Sequence, residues 1–175
     1  MITAKDITRV QTAVSSQQAG NNVIGQIMFK GGFACTTGGG VLGPVVGPFN
    51  VQPGSAYGEP AGVYRVYLQK PSAAAPTSGP YAGNPQGQQY VPYTSGQIQS
   101  IDFFNVSGFT PRNPGATETA SALVTGYGTD SSNGEFYITV QISTLTTGAI
   151  LGTPPSNFVV GLDVAVTFAS NTNPL

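Results

Sequence analysis

Between Phe158 and Phe168 every second residue is large and apolar: Phe158, Val160, Leu162, Val164, Val166 and Phe168. The intervening positions hold Val159, Gly161, Asp163, Ala165 and Thr167. A period of two sustained this long predicts a long strand with one buried face, since a helix repeats every 3.6 residues. Gly134 to Ile142 repeats the scheme and would bury Phe136, Ile138, Val140 and Ile142; Gly62 to Leu68 does so with Tyr64, Val66 and Leu68. Shorter alternations predict further strands over Val23 to Phe29, Ile98 to Val106 and Ser121 to Tyr127. Small and neutral residues on the second face fit antiparallel sheets, because parallel strands are apolar on both sides.

Turn chemistry separates these runs. Asp130-Ser131-Ser132-Asn133-Gly134 ends in Asn-Gly, a hairpin signal. Thr153-Pro154-Pro155-Ser156-Asn157 interrupts pairing just before the last strand. Residues 31–61 and 69–96 are rich in Gly and Pro without periodicity, and they read as long loops. Gaps of that size rule out an up-and-down barrel with short turns. They favour an antiparallel β-sandwich whose strands cross between two sheets. At 175 residues the chain reads as one all-β domain over 23–175, preceded by a distinct segment over 1–22. In that segment Ile7, Val10 and Val14 fall at i, i+3 and i+7, and Gly20-Asn21-Asn22 supplies a stop. Residues 3–19 therefore read as a short helix or an extended arm, docked on its own domain or on a neighbour.

The chemistry available is narrow. Six basic and seven acidic residues give a net charge of −1, and there is no histidine. Lys5, Arg9, Lys30, Arg65, Lys70 and Arg112 are scattered, so no basic cluster marks a nucleic-acid partner. No apolar stretch is long enough for a membrane helix, and the N-terminus lacks a secretory core, which reads as a soluble chain that starts in the cytosol with no export address of its own. A serine nucleophile would lack its usual histidine base. Asp130 and Glu135 flank one hairpin, where a solvated turn is the simplest reading. Asp163, mid-strand, is expected to pair with a cation such as Arg65 or Arg112 rather than to catalyse. Cys35 has neither a second cysteine nor a histidine to join it in a metal site and reads as a small buried hydrophobe. Gly38-Gly39-Gly40 is not followed by the Lys-Ser/Thr of a phosphate loop. Asn105-Val106-Ser107 fits the glycosylation sequon, and Asp130 to Asn133 is a poor calcium candidate. No cofactor, metal or catalytic set is expected. Such a neutral surface puts little repulsion between copies and suits a protein packed among neighbours. Tyr81, Tyr90 and Tyr93, in the Pro/Gln-rich stretch, together with Ile7, Val10 and Val14, are the candidate partner contacts.

Three segments carry a resemblance: Gly62-Val63-Tyr64-Arg65-Val66-Tyr67-Leu68, Gly134-Glu135-Phe136-Tyr137-Ile138-Thr139-Val140, and Pro154-Pro155-Ser156-Asn157 leading into Phe158 to Val166. Together they resemble small jelly-roll proteins of tailed-bacteriophage virions, the capsid decoration or cement proteins and related head-fibre domains. The likeness spans roughly residues 60–170, apart from 69–96, and rests on generic strand patterns. It implies a jelly-roll sandwich and a homotrimer on the outer capsid surface. That trimer would sit on the major capsid protein and stabilise the shell without enzymatic activity. Two other readings stand beside it: a receptor- or carbohydrate-binding fibre-tip module using Tyr81, Tyr90 and Tyr93, and a coat subunit with a single jelly roll.

Overall fold

The strand with the clearest alternation, β9 (Phe158–Ala169), lies inside a sheet with a neighbour on each side. The computed structural model describes residues 23–71, 90–109, 119–155 and 157–169. These form β1 (Val23–Cys35), β2 (Val41–Val46), β3 (Phe49–Pro53), β4 (Val63–Pro71), β5 (Tyr90–Pro92), β6 (Ile98–Phe109), β7 (Ala120–Thr129), β8 (Phe136–Thr144) and β9. One sheet has the order β2-β1-β9-β6 and the other β3-β4-β8-β7, with β5 paired to the far end of β4. All pairings are antiparallel. The all-β, two-sheet antiparallel architecture expected from the alternation is therefore present.

The alternation also places the core. The six alternating apolar residues of β9 are all buried, as are Phe136, Ile138, Val140 and Ile142 of β8 and Tyr64, Val66 and Leu68 of β4. Burial of each such aliphatic or Phe side chain is worth about 1.5–3 kcal/mol relative to exposure. Phe29 from β1 and Phe168 from β9 meet the ring of Tyr93, with centroids 5.8 and 4.7 Å away. Farther along, Phe33 packs on Tyr64 at 5.1 Å.

The stretch 31–61, read from sequence as a loop, contains the end of β1 and all of β2 and β3. Glycine hides the end of β1 from a pattern search. A Cβ on Gly31 would lie 2.0 Å from the Val46 carbonyl oxygen, and one on Gly32 would lie 2.2 Å from that of Val160. Close backbone approach excludes the apolar side chains that would have marked the period. Both β2 and β3 are edge strands, where Pro44 and Pro53 are tolerated. Gly38 to Gly40 forms the β1–β2 turn, in which Gly39 (φ 79°) donates its N–H to the Thr36 carbonyl at 3.0 Å. Within 69–96, β4 runs on to Pro71 and β5 pairs with it, so this stretch too is partly strand. Other turns fall where expected. Gly134 (φ 74°) closes the β7–β8 hairpin, and Asn157 (φ 60°) precedes β9, donating its N–H to the Cys35 carbonyl at 3.1 Å. The helix or arm expected over 3–19 lies outside the described residues.

Candidate interaction surface

Among the described residues, many of the charged side chains are engaged with one another or with neighbouring polar groups. Arg65 pairs in register with Thr139 while Tyr64 pairs with core Val140, so Arg65 stands on the outer face of its sheet. Its guanidinium lies between two rings, 4.1 Å from the Tyr57 centroid and 4.3 Å from that of Tyr137. It binds Glu59 at 2.7 Å and approaches Asp130 at 3.8 Å. The turn Gly54–Tyr57 folds the chain back so that Glu59, only six residues upstream, reaches Arg65.

Asp130 is therefore not the solvated turn residue that its sequence context suggests. It is nearly buried, accepts hydrogen bonds from the Ser132 hydroxyl and N–H at 2.7 and 2.9 Å, and accepts one from the Tyr67 hydroxyl at 3.3 Å. The Ser132 bonds, with help from Tyr67 and Arg65, hold its carboxyl below the usual carboxylate range. Asp163 does not pair with Arg65, and Arg112 lies outside the described residues. Lys30, its register partner across β1 and β9, is 3.6 Å away. Asp102 collects hydrogen bonds from Gln26, Ser100 and Thr167, which lower its pKa. Cys35 is fully buried, and burial pushes its thiol up. No group of three or more His, Cys, Asp or Glu gathers among the described residues, and no described helix is long and apolar enough to cross a membrane.

The feature that stands out lies where the two sheets end. On one side of the sandwich the first sheet stops at β6 and the second at β7. Toward one end these edges close on each other: a Cβ on Gly108 would sit 2.5 Å from the Phe158 ring and 3.0 Å from Ala122. Toward the other end they leave a cleft of about 250 Å³ lined by Ser95, Ile98, Gln99, Ser100, Ile101, Tyr127, Gly128, Thr129 and Phe136.

Two large rings on this side of the sandwich, one of them lining the cleft, are in the core-facing phase of their strands and yet uncovered. Phe104 pairs with Val164 and Tyr127 with Ile138, both core residues, but Phe104 is 48% and Tyr127 70% exposed. A bulge between Val124 and Gly126 shifts β7 by one residue and brings Tyr127 into that phase. The Tyr127 ring leans on Phe136 at 5.9 Å. No charge and no proline interrupts the ten residues of β7, so among the described residues the bulge is the one protection this edge strand carries.

No protein-family model, curated protein or solved structure matches this chain. Its reading rests on its own geometry.

Of the residues singled out in the sequence, Ile7, Val10, Val14 and Tyr81 lie outside the described residues. Tyr90 is exposed on β5, beside Gly47, Pro48 and Gln69. Tyr93 is a core residue, 1% exposed, and burial pushes its hydroxyl up to about 12; it is not placed to touch a partner. Phe104 and Tyr127 were not singled out. The available signal was an apolar ring on a strand that carries few charges, but which ring lies at an open edge depends on bulges and sheet order.

Proposed function

We propose that the chain is a structural subunit of a virion, a decoration or cement protein of jelly-roll type. On this reading it is made in the host cytoplasm and sits on the outer capsid surface. There it binds copies of itself and the major capsid protein at intersubunit seams, and does no catalysis. One observation carries the reading: among the described residues, most charged side chains are paired with one another, while large apolar ones stay in solvent. Arg65, Glu59 and Asp130 form one shielded cluster, and Lys30 and Asp163 form an exposed pair. Met28, Leu42, Val46, Phe104, Tyr127, Leu145 and Ile150 are all exposed. A surface of that kind gains by being covered. The jelly-roll assignment draws support from strand order, with β1-β9-β6 in one layer, β4-β8-β7 in the other, and crossings between layers.

Sedimentation velocity of the purified chain tests the proposal. A homotrimer is expected. A single monomeric species at tens of micromolar overturns it.

A second reading, a carbohydrate-binding fibre-tip module, is favoured by the exposed Tyr127 ring beside the hydroxyls and amide of Ser95, Gln99 and Ser100. Glycan-array binding that disappears in Tyr127→Ala while the assembly stays intact selects this second reading.

A further inference from the structure

The open side of the sandwich needs a cover, and we infer that a second copy of this chain supplies it by packing along the β6–β7 seam. This rests on the assembly reading above and goes beyond it by assigning the face.

Three observations converge. First, Phe104 and Tyr127 lie in the core-facing phase opposite fully buried partners, so the apolar interior continues to the surface here. A ring so placed stays in water only while nothing is docked on it. Second, the seam is almost free of charge. β7 carries none, and the single charge of β6, Asp102, is held on the first sheet's outer side by Gln26 and Thr167. Two copies with a formal net charge of −1 each bring no repulsive field to this edge. Among the described residues, the two strands offer an acidic or basic partner little charge to recognise.

Third, the dimensions match a subunit contact. A ten-residue strand runs about 34 Å, and two sheets about 10 Å apart present an edge about 20 Å wide with their side chains. That is about 700 Å² on each copy, close to the roughly 800 Å² per partner of a standard stable interface. Among the described residues no strand pairs the outer side of β7, and its backbone groups there add hydrogen-bonding capacity that a strand of another copy can use.

Single lysine substitutions in the full chain test the assignment. Sedimentation velocity is run over a concentration series for the natural chain, Tyr127→Lys, Phe104→Lys and Val46→Lys. Val46 is the control: it is 66% exposed on β2, the opposite edge of the first sheet. Native folding of each variant is checked by its strand circular dichroism and by the Cys35 thiol remaining unreactive. The seam variants are expected to weaken self-association at least about 30-fold, the scale of an interface hot spot, and Val46→Lys to leave it unchanged. Folded seam variants that keep the natural mass overturn the seam while leaving the assembly reading standing. Equal weakening by Val46→Lys does the same. A natural chain that is monomeric throughout overturns both.

Discussion

Replacing Arg65 by alanine separates a structural tie from a reactive group. Its guanidinium is sandwiched by Tyr57 and Tyr137 and hydrogen-bonded to Glu59, with side-chain exposures of only 13% for Arg65 and 24% for Glu59. Each cation–ring contact is worth about 0.5–1 kcal/mol, and a hydrogen bond to a charged group about 1.5–3 kcal/mol. The substitution also strands Glu59, whose Oε2 is already buried without a hydrogen-bond partner, and takes the cation from Asp130. Arg65→Ala is therefore expected to cost about 3 kcal/mol. Arg65→Lys keeps the charge but loses the planar stacking and is expected to cost about half as much. In urea, with a slope of about 2 kcal/mol per molar, the alanine variant should unfold about 1.5 M earlier. A loss below about 1 kcal/mol for Arg65→Ala refutes the idea that this cluster clamps the outer face of the second sheet.

Other consequences are open to direct measurement. Gly108→Ala places a methyl against the Phe158 ring and Ala122, and is expected to destabilise by about 1–3 kcal/mol in the same urea assay. Gly96→Ala, where a Cβ meets nothing, should cost far less. The Asp130 carboxyl is depressed in the folded state, so its stabilising contribution is complete above the unfolded value near pH 4 and is lost as pH falls through the lower folded value. Asp130→Asn should flatten that acid limb of a stability-against-pH curve; an unchanged limb contradicts the assignment. Cys35 is fully buried with a raised pKa, so Ellman's reagent at pH 8 should leave it untouched until denaturant is added. Immediate labelling of the folded chain would refute that burial.

How much of this was readable beforehand depends on whether a residue's fate is local. The alternation in β4, β8 and β9 fixes which side chains enter the core, because a strand's geometry forces every second residue to one face. Asn133-Gly134 marks its hairpin for the same local reason. The end of β1 escaped notice because Gly31 and Gly32 serve close backbone approach rather than apolar contact, and β2 and β3 because Pro44 and Pro53 sit in short edge strands. The location of Tyr93 is non-local: it is set by β5 docking on β4, which brings the ring beside Phe29 and Phe168. Asp163 was recognisable as an ion-pair member, but choosing Lys30 needs the β1–β9 register. The open seam was hidden for a related reason, since the β7 bulge and the order of both sheets together leave Tyr127 and Phe104 without cover.

Hydrogen exchange on the backbone amides of β7, followed at low and high protein concentration, probes the self-covering edge most directly. The account predicts that β7 amides not bonded to β8 exchange more slowly as concentration rises, while those along the β2 edge keep one rate. Exchange along β7 that is the same at every concentration contradicts it.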